Sequence, residues 1–246
     1  MTYEDYKICV DKTPINTIIS FAGFVEPFLH EQASDMIRYA YESGRDVMLF
    51  TTLVGLTEEK WEQISDVPFY QVVLHTPDKK SFAKIPVTKE YTELLDKILD
   101  HCKPDGSNFI DFANCQSEPS DDFVKIAKGR VRMQGTKMTD RAGALEGEEI
   151  RSASYSSGEI YCTRSYNMDN WVLLPDGTVV LCCMDYGLKH PLGNLIRDDY
   201  DMIKQREEYQ RIIKGLRSDY ADILCRHCTF AQRKTEYSPI THFLNR

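Results

Sequence analysis

The chain has 246 residues, 38 acidic against 30 basic side chains, and eight cysteines, with 42% of its residues hydrophobic and 28% charged. That length buries a substantial core without the disulfides that small secreted scaffolds need, and the composition is not that of a disordered chain. A net charge of −8 excludes partners that require a basic face, nucleic acid and anionic membrane among them. The start, Met1-Thr2-Tyr3-Glu4-Asp5-Tyr6, lacks the pattern of a secretory signal. No apolar run approaches the roughly 20 residues that span a bilayer. The expected location is the cytoplasm, where thiols stay reduced and clustered cysteines mean metal or redox chemistry more often than disulfides.

Taken in chain order, the first part alternates helix and strand signals. Thr2 caps a helix running to Val10, with Tyr6, Cys9 and Val10 on one face. Ile15 to Phe21 reads as a strand. Ala33, Met36, Ile37 and Ala40 form a helical stripe that Gly44 can end. Strand character returns over Asp46 to Thr51 and over Phe69 to His75, with a short helix from Thr57 to Ile64 between them. Tyr91, Leu94, Leu95, Ile98 and Leu99 give a helix, Asn108 to Ala113 a strand, Phe123 to Ala127 a helix capped by Ser120, and Val131 to Met133 a last strand. Such alternation predicts an α/β fold: a parallel sheet of about five strand–helix units, open or curled into a partial (β/α) barrel, over residues 1–135.

Residues 136–158 change character. Gly143, Gly147 and Gly158 with a run of Ser and Glu suggest a linker or long surface loop. Residues 159–246 form the second expected domain. It opens on a hairpin, Trp171–Leu174 and Thr178–Leu181 around Pro175-Asp176-Gly177, whose turn chemistry is explicit. A helix from Asp199 to Leu216 follows.

This second domain holds Cys162, Cys182, Cys183, Cys225 and Cys228. Cys162 precedes the hairpin, Cys182 ends it, and Cys225 and Cys228 form a C-x-x-C. Four thiolates from a hairpin and a later tight loop can close around one metal centre, either an iron–sulfur cluster or zinc; spacing alone does not separate the two. Adjacent residues on a strand face opposite ways, so only one of Cys182 and Cys183 is expected to be a ligand. Cys9, Cys102 and Cys115 read as core thiols. His227 does not make a c-type haem site, because Thr229 stands where that site needs histidine. The other histidines, His30, His75, His101, His190 and His242, are dispersed.

At these residues a resemblance emerges. Cys162-Thr163-Arg164-Ser165-Tyr166-Asn167, the hairpin through Cys182-Cys183, Leu192-Gly193-Asn194-Leu195 and Cys225-x-x-Cys228 resemble the SPASM/Twitch domain, the C-terminal auxiliary-cluster module of many radical S-adenosylmethionine (SAM) enzymes. Cys162, Gly177 and Cys182 match the family's C-x(9–15)-G-x4-C pattern. The resemblance implies a [4Fe–4S] auxiliary cluster on Cys162, Cys182, Cys225 and Cys228, with Cys182 rather than Cys183 as ligand, and zinc as the alternative metal. The first domain is similar to the radical SAM partial barrel. Ser20 to His30 looks like the family's G-x-G-E-P-L stretch, which implies contacts to SAM from Gly23, Glu26 and Pro27, although Val25 replaces the second glycine. Asp140-Arg141-Ala142-Gly143-Ala144-Leu145 also resembles a stretch found before the cluster domain, without an assigned chemistry.

The family's SAM-cleaving cluster sits on C-x3-C-x2-C, and the sequence contains no such motif. The first strand of the family barrel and its cysteine loop are therefore expected to be missing, by truncation or by loss. SAM binding is expected only with that segment. The function implied is SAM-dependent radical modification of an unknown substrate, small molecule or peptide, with an electron donor such as flavodoxin or ferredoxin. A non-catalytic, cluster-bearing accessory protein and a four-cysteine zinc interaction module are the alternatives.

Overall fold

A computed structural model describes residues 1–135, 138–147, 150–165 and 167–234. Tyr166 of the cysteine motif, Thr136, Lys137, Glu148 and Glu149 of the expected linker, and His242 lie outside the described residues. The chain divides into two units: Met1–Met138 with Pro175–Gly177 and Leu195–Arg197, and the remainder from Thr139. Residues 139–158 group with the second unit.

The first unit runs α1 (Tyr3–Lys12), β1 (Ile19–Phe21), a 3-10 turn (Pro27–Leu29), α2 (Ala33–Glu42), β2 (Val47–Thr51), α3 (Glu58–Glu62), β3 (Gln71–His75), α4 (Lys89–Leu99), β4 (Phe112–Cys115), α5 (Asp121–Ala127) and β5 (Met133–Gly135). Local chemistry starts the helices where expected. The hydroxyls of Thr2, Thr57 and Ser120 accept from the backbone N–H groups of Asp5, Lys60 and Phe123, which satisfies first-turn donors that have no intrahelical partner. Gly44 follows α2 at φ 82°, a conformation glycine adopts freely.

All five strands are parallel, in the order β1-β2-β3-β4-β5. Sequential neighbours in a parallel sheet are what repeated strand–helix units give. The two outer strands, β1 and β5, do not pair with each other, so the sheet is open. One face packs on the helices: Val47, Leu49, Val72, Leu74 and Ala113 share a core with Ile37, Trp61, Leu95, Ile98 and Phe123. By alternation, the opposite face carries three rows in register: Ser20, Met48 and Gln71; then Phe50, Val73 and Phe112; then, at the C-terminal strand ends, His75, Asn114 and Gln134.

Three boundaries differ from expectation, two of them for a common reason, while Ile15 stays 65% exposed. Ile15, Phe109 with Ile110, and Val131 gave strand signals, yet each precedes its strand. Phe109, Ile110 and Val131 enter the core at 2%, 4% and 7% exposure from irregular backbone. Their hydrophobicity marks core entry, not strand pairing.

The second unit is made of short pieces: β6 (Ile160–Cys162), β7 (Val172–Leu173), β8 (Thr178–Val180), β9 (Pro191–Asn194), α6 (Tyr200–Gln205), α7 (Glu207–Arg217), a 3-10 turn (Leu224–His227) and β10 (Ala231–Arg233). The strands β7, β8 and β9 form an antiparallel sheet, and β6 pairs antiparallel with β10. The single helix expected from Asp199 is broken at Arg206, which is extended at ψ 147° and ion-pairs with Asp198 at 2.6 Å. Gly193 is required by close packing, since a β-carbon there would stand 3.0 Å from the Asp198 carboxylate and 3.2 Å from Ile203. Among the described residues, no helix is long and apolar enough to cross a membrane.

Candidate functional site

The pairing of β6 with β10 sets Cys162 beside the segment that follows Cys228. Cys162 ends β6 opposite Ala231, and the Thr163 N–H donates to Phe230 O at 3.0 Å. This brings the start of the second unit beside the loop that carries Cys225 and Cys228. Those two lie on the 3-10 turn and at its end, joined by the Cys228 N–H donating to Cys225 O at 3.2 Å. Cys182 follows β8 and accepts at its carbonyl from the Asp185 N–H at 3.0 Å.

All eight cysteines are free thiols. Burial pushes the Cys182 thiol up to about 12, with Cys183 and Cys228 adding to the effect while the Met184 and Asp185 N–H groups oppose it. Cys225 is raised further by burial, then by Cys182, Cys162 and Cys228. Cys228 is raised by burial, then by Cys162, Asp140 and Cys183, against the Phe230 N–H that donates to its sulfur at 3.4 Å. Cys225 thus feels each of Cys182, Cys162 and Cys228. A metal must displace protons from the raised thiols to bind there, and the N–H groups aimed at sulfur favour the thiolate once it forms.

This donor set fits an iron–sulfur cluster. Its donors are four cysteine sulfurs, Cys225 and Cys228 buried and Cys162 and Cys182 half-buried, with backbone N–H groups donating to the sulfurs of Cys182 and Cys228, the surroundings that hold and tune such clusters. Among the described residues, no group of three or more His, Cys, Asp or Glu side chains is already arranged to hold a metal ion, the cysteines included.

Cys183 departs from expectation. The strand β8 ends at Val180, so Cys182 and Cys183 occupy a turn and the rule of opposite faces does not apply to them. Cys183 acts on both Cys182 and Cys228. Of the three thiols read as core, Cys9 and Cys115 are buried but Cys102 is exposed, because it follows α4 in a loop that bridges back to Asn108.

Sequence reasoning noted one feature around the group without giving it a chemistry and passed over another. The stretch Asp140–Leu145 turns through three successive left-handed residues, Arg141, Ala142 and Gly143, at φ 50°, 55° and 85°. Its Arg141 donates to Cys183 O at 3.0 Å and its Asp140 is 4% exposed. The other feature is the environment of Arg226, inside the C-x-x-C. The signal was an arginine between two paired cysteines, a residue that reads as solvent-facing until its partners are known.

Gly23, Glu26 and Pro27 lie in the first unit, in the loop after β1. Gly23 has φ 121°, which favours glycine. Glu26 caps the 3-10 turn by accepting from the Phe28 N–H at 3.2 Å. Its carboxylate also accepts from the Thr51 hydroxyl at 2.8 Å, the Thr52 hydroxyl at 2.7 Å and the Thr52 N–H at 2.5 Å. Lys60 fastens the same loop by donating to Phe28 O at 2.8 Å and His30 O at 3.3 Å. Gly55 is bare because a β-carbon would stand 2.7 Å from Phe28 O. Glu26 thus ties the β1 loop to the end of β2, while Val25 is 76% exposed and turned to solvent.

These groups stand at the C-terminal strand ends, where (β/α) architectures place their chemistry. The row His75, Asn114, Gln134 is at the same edge. Asn114 is 7% exposed and its Oδ1 is buried without a hydrogen-bond partner. A buried acceptor left open in this way is a group that a polar ligand can satisfy.

Comparison with known proteins agrees with this anatomy. The family model of SPASM, an iron–sulfur cluster-binding domain, matches residues 162–229. The crystal structure of BtrN in complex with AdoMet and 2-DOIA is similar at TM-score 0.56 and 14% identity, covering 88% of this chain and 74% of that one. BtrN in an open conformation gives TM-score 0.52 at 14% identity, with 93% and 80% covered. Streptococcus suis SuiB bound to the precursor peptide SuiA gives TM-score 0.55 at 11% identity, with 85% of this chain and 59% of that chain covered. Curated proteins give no match. The chain thus has the fold of radical SAM/SPASM proteins: an open parallel α/β unit and a SPASM iron–sulfur segment.

Proposed function

We propose that this chain is a cluster-bearing protein of the radical SAM/SPASM type, binding one auxiliary [4Fe–4S] cluster through Cys162, Cys182, Cys225 and Cys228. The observation that carries the reading is that the segment matching SPASM contains all four cysteines, with the strand of Cys162 paired to the one that follows the Cys225–Cys228 turn. A cluster with four protein thiolates supplies one-electron transfer and cross-links the unit that holds it. The β6–β10 pairing sets the Cys162 strand beside the segment that follows Cys228, and N–H groups are aimed at two of the sulfurs.

The parent activity is SAM-dependent radical modification, with the C-terminal edge of the sheet as the ligand-facing side. Asn114, His75 and Gln134 present polar groups there, and Glu26, Thr51 and Thr52 keep the neighbouring loop rigid. The substrate is a small molecule or a peptide; the solved neighbours include one of each, BtrN with 2-DOIA and SuiB with a precursor peptide. Because the 246 residues contain no C-x3-C-x2-C, these residues by themselves carry the auxiliary cluster but do not cleave SAM. Accessory electron transfer, exchanging electrons with a flavodoxin- or ferredoxin-type carrier, is the second reading that this absence favours.

Anaerobic purification and reconstitution test the proposal. The expected product is brown and holds about four iron and four sulfide per chain. Cys225→Ser is expected to lose them, and Cys183→Ser to keep them. A colourless wild-type protein with one zinc and no sulfide would contradict the cluster.

A further inference from the structure

Both residues between the paired cysteines are gripped from outside their loop. His227 meets the Asp222 carboxylate at 2.8 Å and the edge of Tyr155 at 5.3 Å between ring centroids. Arg226 is gripped far more extensively. It is fully buried at 0% exposure, which is rare for a charged side chain. Its Nη1 donates to Ser156 O at 2.6 Å and Gly158 O at 3.1 Å, and pairs with Asp219 at 2.9 Å. Its Nη2 donates to Gly158 O at 3.1 Å, Gly215 O at 2.5 Å and Ser218 O at 2.6 Å. Its Nε is buried without a partner.

Arg226 is held from three places. Gly215 and Ser218 lie at the C-terminal end of α7, where helix termination leaves carbonyls without intrahelical partners. Ser156 and Gly158 belong to the approach to β6, the strand that carries Cys162. The third place is the cysteine loop itself: the Arg226 N–H donates to Ile223 O at 2.9 Å, and its carbonyl accepts from the Ser156 N–H at 2.8 Å. The helix can come this close because Gly215 is bare; a β-carbon there would meet Ile223 at 2.7 Å. One planar guanidinium, with donors spread over a fork, thus ties the helix end, the Cys162 strand and the C-x-x-C together.

We propose that Arg226 is the positioning residue of the cluster site, holding the Cys225 and Cys228 loop in register with Cys162 before a cluster arrives. The inference rests on the ligand set proposed above. Removing Arg226 leaves the carbonyls of α7 and of the approach to β6 unpaired and frees the loop. A lysine keeps the charge but offers three donors from one point, so it restores only part of the frame.

The test uses the full chain and the variants R226M and R226K. In the metal-free protein, site-resolved alkylation by iodoacetamide reads the loop directly. Cys225 and Cys228 are expected to react about tenfold faster or more in R226M, with R226K between it and wild type, while the buried Cys9 and Cys115 of the first unit stay slow. In the loaded protein, iron release to a chelator is expected to accelerate about 10–100-fold in R226M, and the electron paramagnetic resonance signal of the reduced cluster to change shape, with partial return in R226K. Wild-type alkylation rates at both cysteines, or a wild-type signal with wild-type iron release, would overturn the proposal. If R226M fails to fold, shown by fast reaction of Cys9 and Cys115 as well, R226K decides: intermediate rates support the proposal and wild-type rates overturn it. If the wild-type chain takes up no iron or sulfide, the cluster reading falls, and the alkylation rates still decide the role of Arg226.

Discussion

The two units cohere in different ways. The sheet unit is held by one apolar core that runs from Phe28 to Val131, with Ile37, Ile64, Leu74, Leu95 and Ile98 fully buried between strands and helices. The cysteine unit has strands of two to four residues and a thinner set of buried apolar side chains, Val180, Leu192, Ile203 and Ile212 among them. It relies instead on point fasteners: the Arg226 fork, the β6–β10 pairing and the thiol group. The comparison teaches where metal matters. A unit with a full core folds on hydrophobic burial, whereas one with a thin core needs staples.

The largest break in this contrast is expected from Cys225→Ser. Beyond losing iron, it should lower the melting transition of the cysteine unit while leaving that of the sheet unit in place, because cluster binding is linked to folding only where the ligands are. The two tryptophans separate the readouts, since Trp61 is buried in the sheet unit and Trp171 lies in the cysteine unit against Tyr200 and Tyr209. A Trp171→Phe background isolates the first signal.

The converse variant is Leu95→Ala. Leu95 is 0% exposed on α4, so truncation removes buried methyl groups and leaves a cavity, at a cost of about 2–5 kcal/mol. That loss should appear in the Trp61 transition with iron content unchanged. A drop in iron uptake as large as that of Cys225→Ser would dissolve the contrast between the units.

A smaller effect is expected with acid. In the cysteine unit, Glu208 accepts from Arg211 Nε at 2.8 Å and from His190 Nδ1 at 2.6 Å. The Arg211 hydrogen bond first, and then that of His190, hold its carboxyl down from 4.5 to about 2. The folded value lies below the unfolded one, so this stabilisation is fully present above about pH 4.5 and is lost as pH falls towards 2. Partial exposure of the group limits it to about 1–2 kcal/mol. Glu208→Gln should flatten the acid limb of the Trp171 transition between those values and leave the Trp61 transition unmoved.

The sheet unit was largely legible in sequence because its signals are local. Thr2, Thr57 and Ser120 mark helix starts by side-chain capping, and stripes such as Tyr91–Leu95–Ile98–Leu99 repeat at helical spacing. Where the reading slipped, at Phe109 and Val131, a buried side chain preceded its strand. The cysteine unit was legible only in its motif. The pairing of Cys162 with Ala231 joins distant segments, and no short-range pattern announces it. The break at Arg206 carries neither proline nor glycine; it goes with an ion pair to Asp198. Arg226 stayed hidden for the same reason: its partners, at positions 156, 158, 215, 218 and 219, are spread along the chain. Glu26 was singled out from its motif as a ligand contact; its hydrogen bonds from Thr51 and Thr52, which join its loop to the end of β2, are visible only in the fold.

Segment-resolved hydrogen exchange on the anaerobic chain, with and without the cluster, tests the central claim most directly. Loading is expected to slow exchange by an order of magnitude or more around Cys162, Cys182 and the Leu224–Cys228 turn, and to leave the strands β1 to β5 unchanged. Equal exchange in the two states around those cysteines would contradict the assignment of the cluster to Cys162, Cys182, Cys225 and Cys228.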